Sequence, residues 1–543
     1  MGAWNAIALA CCGLVGCAGA TAEPSEAPDA RPADAVDPAD AALPDAWSRL
    51  VSPPDAGASD ARTAPAPMAT PTPETPGCVW GSARGTSDFI AKENARAGDP
   101  GWVITQAADR EIEGYASSTS VGQGQTLELF VSTPAPRFRL EIFRMGWYGG
   151  AGARRVASSE HPGGLQIAVE RDPDSGLLEA QWSPSVHLQL PPADADDPWV
   201  SGMYLAKLTA IPDGYQRYIP FVVRDDARSS DLLFQSSVNT FAAYNAWGGL
   251  SLYGSPAAVK VSLHRPYRYS ADYGFGAGQL MRWELNALRF LEREGYAVKY
   301  ATDVDVHRDP CLLTHTRVYL SVGHDEYWSW QMRDHVERAR DHGVSLMFLG
   351  ANAAYWQIRY EPSLSGDPLS TIVAYKAGAT NNDPVRLDPV TAHLTTARFR
   401  DPIVNRHEAA LVGVAYEPGS WPVDVDYVVK NASHWVYSGT SLHDDSHLFG
   451  MVGYEADRAG AASPSNLEIL SASPFVGQGR VPGESNASIY RAGGDAWVFA
   501  AGTMQWSWGL DDFVDDLGGR GPRESAEIQQ ITKNVLRRML DRP

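Results

Sequence analysis

Three ionisable residues, His324, Asp325 and Glu326, stand in a row just after a short apolar run, Val318 to Val322, that ends at Gly323. Charges at the mouth of a buried strand are costly unless they are solvated, paired or bound to a metal. A second apolar run, Val344 to Leu349, ends at Gly350, with Asn352 just beyond. The stretch between, Trp328 to His342, has Met332, Val336 and Ala339 on one helical stripe and Gly343 as its stop. The order strand, charged elbow, helix, strand sets polar residues at two strand exits, where open α/β sheets bind ligands. Imidazole, carboxylate and amide so placed suit proton transfer, metal binding and stabilisation of a carbonyl or oxyanion.

Familiar hydrolase signatures are absent. The chain has no Gly-x-Ser-x-Gly elbow, no phosphate loop and no His-Glu-x-x-His zinc motif. Cys311 precedes a strand instead of following one, so it does not sit at a nucleophile's place.

The elements around the elbow predict an α/β domain over residues 229–543 with a mainly parallel sheet. Leu232 to Val238 is strand-like and runs into an aromatic, glycine-rich loop, Thr240 to Gly249, that contains Tyr244. Gln279 to Glu294 has helical spacing, Tyr296 to Tyr300 starts a strand, Ala496 to Ala500 is another, and Ser525 to Leu540 closes as a helix. Residues 360–490 are irregular, with strands expected at Tyr427 to Val429 and Leu448 to Val452. Residues 78–228 predict a β-sandwich from short runs such as Thr126 to Val131, Phe138 to Phe143, Tyr204 to Leu208 and Tyr218 to Val223. Arg144-Met-Gly-Trp-Tyr-Gly-Gly150 reads as a structural corner.

The formal charge of -20 over 543 residues argues against a nucleic-acid or anionic-membrane partner. Residues 18–77 are rich in Ala, Pro and Asp, carry seven of those negative charges net, and read as a tether without regular structure. Residues 1–17 resemble a bacterial lipoprotein signal ending at Cys17, although no Lys or Arg precedes the apolar run; a plain secretory signal is the alternative. The expectation is an exported, periplasmic or cell-surface protein that meets the membrane only through a lipid anchor at Cys17. Cleavage there leaves Cys78 and Cys311, which could pair in an oxidising compartment.

Four motifs together resemble the large subunit of N,N-dimethylformamidase: Ser201-Gly-Met-Tyr204, Ala243-Tyr-Asn-Ala-Trp-Gly-Gly249, Gly323-His-Asp-Glu-Tyr-Trp328 and Gly350-Ala-Asn-Ala-Ala-Tyr-Trp356. The resemblance runs from about Glu113 to the C-terminus and includes the Arg144 to Gly150 motif. It implies a flavodoxin-like or class I glutamine amidotransferase-like α/β domain without the cysteine, acting on a C–N amide bond. It also implies a mononuclear ferric ion (Fe3+) held by two tyrosinates and one glutamate, which by motif are Tyr244, Tyr204 and Glu326. His324 and Asn352 then act on substrate or water, with Lys376 and Glu455 as supporting groups. The substrate is a small amide, and the partner is a small subunit or further copies of the chain.

Plainer readings stand beside these. Tyr204 is equally a sandwich core residue, Tyr244 a packing partner of Trp247, Glu326 a cap for the helix starting near Trp328, and Asn352 a helix or turn cap. At the level of function the alternatives are a non-catalytic surface protein that binds glycan or a partner, and a sugar-processing metal enzyme on the trehalose-utilisation fold.

Overall fold

Thr126–Met145 is one strand of 20 residues, and its two halves serve different partners. The strands of this region are β1 (Glu113–Ala116), β2 (Ser120–Gly122), β3 (Thr126–Met145), β4 (Ala153–Gly164), β5 (Val186–Gln189), β6 (Gly202–Ile211) and β7 (Gln216–Arg224). The first half of β3 pairs with β1 and β5, and the second half with β4 and β6. All of these pairings are antiparallel; only β2 runs parallel to its neighbour β7. Leu127 and Leu129 of the first half and Phe138 and Leu140 of the second share one core with Tyr204 of β6 and Phe221 of β7, a sandwich-like arrangement.

The computed structural model describes residues 78–80, 88–268, 279–514 and 523–541. The export signal with Cys17 and the tether 18–77 lie outside the described residues.

The next strands are β8 (Ser230–Ser236), β9 (Lys260–Ser262), β10 (Val298–Thr302), β11 (Thr316–His324), β12 (Tyr327–Ser329), β13 (Ser345–Ala351), β14 (Trp356–Glu361) and β15 (Thr371–Val373). A seven-stranded sheet runs β10-β8-β11-β13, then Trp497–Ala500, Ser488–Arg491 and Glu468–Ile469. Its first four pairings are parallel and its last two antiparallel. A smaller sheet, β12-β14-β15-β9, mixes both senses, and three two-stranded antiparallel pairs occur within 415–485. The chain is thus a mixed α/β protein with several sheets, where the sequence predicted one mainly parallel sheet over 229–543. Among the described residues no helix is long and apolar enough to cross a membrane.

The Arg144 to Gly150 motif joins these layers. Arg144, fully buried at the end of β3, donates to both oxygens of Glu292 at 2.9 and 2.8 Å and to the carbonyl of Ser201. Glu292 lies in the helix Leu285–Arg293, so the pair binds the first sheet's end to the α/β layer. A Cβ on Gly146 would stand 2.5 Å from a Glu292 oxygen, which is why the corner needs glycine there. Cys78 and Cys311 are disulfide-bonded, tying the start of the described chain to the turn before β11.

Candidate active site

The elbow forms where β11 ends, and its backbone is fixed on two sides. Glu326 N donates to Thr240 Oγ1 at 3.1 Å, while its carbonyl accepts from the amides of Tyr355 and Trp356, both at 3.0 Å. Glu326 does not cap the following helix. Ser329 does, through Met332 N, and the helix spans Trp330–Asp341.

Tyr244 is the last residue of the helix Val238–Tyr244, which starts just after β8. Two buried carboxylates serve the start of this helix. Glu284 accepts from Ser237 N and Ser236 Oγ at 2.8 Å each, and Asp303 accepts from Asn239 N at 2.7 Å. Acids there meet unsatisfied amides and the positive end of the helix dipole. Glu284 reaches them from a π-helical turn, Leu280–Glu284, at the head of the predicted 279–294 helix.

Phenols gather on the Glu326 carboxylate. Tyr244 donates to Oε2 at 2.9 Å, and Tyr253 contacts Oε2 at 2.9 Å and Oε1 at 3.1 Å. The two rings stack with centroids 4.2 Å apart, and Tyr327 donates to the Tyr253 oxygen at 2.6 Å. His324 Nε2 lies 3.3 Å from Glu326 Oε2 and 3.4 Å from Glu455 Oε2, an imidazole between two carboxylates. Asn352, at φ 55° beyond β13, donates through Nδ2 to Glu455 at 2.9 Å and through its backbone amide to Asp457 at 2.8 Å. Lys376 Nζ sits 3.4 Å from the centre of the Tyr253 ring.

Electrostatics follow from burial and these neighbours. Burial alone would lower His324, but Glu326 and Glu455 overcome it and push the imidazole up to about 10. Burial works against the Glu326 carboxylate, yet His324, Lys376 and the Tyr253 hydroxyl hold it below its ordinary value. Burial takes Lys376 down to about 8, with Glu326 opposing. Burial, then the Glu326 charge, drives Tyr244 and Tyr253 well above the ordinary phenol range. In the resting site the Glu326 carboxylate therefore has two cations and two neutral phenols beside it.

The structure thus brings together six of the seven residues singled out in the sequence: Tyr244, His324, Glu326, Asn352, Lys376 and Glu455. Tyr204 is not among them and is corrected here. It is fully buried within β6, its ring stacked between Trp199 and Phe221 at 5.5 and 5.6 Å, and its hydroxyl donates to the Val200 carbonyl at 2.7 Å. The phenol that joins Tyr244 is Tyr253, nine residues on and just past the aromatic, glycine-rich loop Thr240 to Gly249. The Tyr-Gly pair at 253–254 was the only signal for it.

Among the described residues no three His, Cys, Asp or Glu side chains form a metal-holding group. The oxygen donors here are instead one carboxylate and two phenols. Both phenols would ionise only beside a strong cation, since burial and Glu326 disfavour phenolate otherwise. Three convergent hard oxygen donors, all anionic once that cation is present, fit a trivalent ion.

Fold and site together define a mixed α/β protein with a buried carboxylate faced by phenols at the exit of a parallel strand. The chain belongs to the family described as N,N-dimethylformamidase beta subunit-like, C-terminal, whose sequence profile matches residues 139–520. That segment contains every residue of the site. A comparison with curated proteins gave no match.

Proposed function

We propose that the protein is a dimethylformamidase-like hydrolase that cleaves a C–N amide bond at Glu326. The observation that carries this reading is the meeting of Tyr244 and Tyr253 on one buried carboxylate inside the family segment. Ferric iron is the assigned cofactor, with Tyr244, Tyr253 and Glu326 as the residues that would hold it. When bound, it supplies Lewis-acid polarisation of a carbonyl and a water made acidic enough to attack.

The chain's own groups divide the remaining work. His324, with Nε2 3.3 Å from Glu326 and 3.4 Å from Glu455, is placed to move a proton or to fix the attacking water. Glu455, oriented by Asn352 Nδ2, is the carboxylate placed to take a proton from water. Lys376, whose Nζ sits over the Tyr253 ring, is placed to give a proton to the departing amine.

The α/β part is read as glutamine amidotransferase-like, with the site beyond the carboxyl ends of β8, β11 and β13. The same reading sets the division from the sandwich-like part near residue 228, in the segment between β7 and β8. The family's name, beta subunit-like, implies a subunit partner, and a small subunit is the partner assigned. Export is supported by the Cys78–Cys311 disulfide, since such bonds persist in oxidising compartments; the anchor assigned is Cys17.

The test is expression with ample iron, followed by metal analysis, visible spectroscopy and assay on small amides. Stoichiometric iron, a tyrosinate charge-transfer band and amide hydrolysis are expected. A colourless, iron-free protein without amidase activity would overturn the reading in favour of a surface-binding role.

A further inference from the structure

Arg265 is 2 % exposed, and no carboxylate among the described residues pairs with it. A buried guanidinium without a counter-ion is expensive unless dipoles replace the ion. Here four backbone carbonyls do so. Nη2 donates to Ala242 O at 3.2 Å and Asn245 O at 2.8 Å; Nη1 donates to Leu250 O at 3.1 Å and Trp247 O at 3.5 Å. The first two lie at the C-terminal end of the helix that carries Tyr244, where the dipole is negative and Ala242 O otherwise accepts only the capping amide of Asn245. The other two flank Gly248 and Gly249, whose φ of 75° and 99° turn the chain back toward Tyr253.

A second clamp acts on the same segment. Asn245 Nδ2 donates to Pro266 O at 2.9 Å, and Asn245 Oδ1 accepts from Trp247 N at 3.1 Å and Arg268 N at 2.9 Å. Leu252 N then donates to Ala243 O at 3.0 Å, which lays Tyr253 beside Tyr244. With Glu284 and Asp303 at the other end, the seven-residue helix is held at its start by two buried carboxyl groups and at its end by a buried guanidinium, all from distant elements. A lysine could not do the same, because only the planar fork addresses several acceptors at set angles.

We infer that Arg265 is a positioning residue for the paired phenols: by gathering the carbonyls of the segment between Tyr244 and Tyr253, it sets where both hydroxyls meet Glu326. The inference rests on the reading of that trio as the active site, but not on iron being bound.

The test therefore uses the metal-free full chain. Fluorotyrosine is placed at position 253 as the reporter and, in a second sample, at position 437 in a separate buried cluster as the control. In R265M the fluorine resonance at 253 is expected to shift and broaden toward its position in the unfolded chain, while that at 437 stays in place. An unmoved 253 resonance in folded R265M would overturn the inference, as would equal shifts at both positions. Should R265M fail to fold, R265K decides: a shift at 253 alone supports the inference and an unmoved resonance overturns it. A protein that takes up no iron would end the metalloenzyme reading and leave this measurement standing.

Discussion

The hydroxyl of Tyr253 lies 2.9 and 3.1 Å from the two oxygens of the Glu326 carboxylate, so a single phenol spans both. Tyr244 reaches one of the same oxygens from the other side of the stacked pair. Under the proposed function, Tyr253→Phe and Tyr244→Phe are each expected to weaken the visible charge-transfer band and lower iron content. Tyr204→Phe is expected to change neither. It should cost about 1 kcal/mol of stability, the worth of one buried hydrogen bond to the Val200 carbonyl. Absorption spectra and metal analysis of the three variants check this, and bleaching by Tyr204→Phe alone would sink the assignment.

The Arg144–Glu292 pair is fully buried and bidentate, and Tyr300 donates to the same carboxylate at 2.9 Å. Removing one partner of such a pair leaves a charge without compensation. Arg144→Met is expected to lower stability by about 3–5 kcal/mol in urea unfolding. The double variant Arg144→Met with Glu292→Leu should recover part of that loss, because neither charge then remains buried. No recovery would mean that the motif's contribution lies in its shape and carbonyl bonds instead of its charge.

Glu284 supplies a pH signature. Burial pushes its carboxyl from an ordinary 4.5 up to about 8, against hydrogen bonds from Ser236 and Ser237 that favour the charged form. A folded value above the unfolded one means that the folded chain binds the extra proton between them. The stability this provides is whole below 4.5 and is lost as pH rises through about 8. Glu284→Gln retains a neutral acceptor and removes the titration. The stability difference between wild type and this variant should therefore move in the variant's favour as pH rises. A difference that stays constant from about pH 5 to about pH 9 would contradict it.

Much of the site was legible because strand exits announce themselves. Glycine closing an apolar run, followed at once by ionisable residues, is how His324 and Glu326 showed in the sequence, and Asn352 showed the same way. Tyr253 did not, because its approach depends on Leu252 N meeting Ala243 O and on Arg265 gathering carbonyls from a later segment. Tyr204 was misplaced for the opposite reason: its own strand, β6, already explains it as core, and a motif reading overrode that pattern. The antiparallel edge of the second sheet was also hidden. Its strands Glu468–Ile469 and Ser488–Arg491 are two and four residues long, too short to carry a period. The π-helical turn before Leu285 was equally silent, since five residues are too few to show a period of their own.

The disulfide gives the last expectation. Cys78 and Cys311 are 233 residues apart in sequence, so the bond closes a loop around the whole sandwich-like region and β8 to β10. In the chain-entropy account, a cross-link over a long loop acts mainly on the unfolded state. The bond also joins the turn Leu312–His315, which leads into β11, the strand that ends at the His324 elbow. Cys311→Ser is therefore expected to lower the unfolding free energy by about 2–4 kcal/mol. The site itself should be spared, because Cys311 lies at the opposite end of β11 from Glu326. Urea unfolding of oxidised, reduced and Cys311→Ser protein checks the first point, with reduced and variant chains expected to coincide. Under the proposed function, iron uptake by the folded variant checks the second. A variant as stable as the oxidised protein would show that the bond contributes nothing to holding this body together.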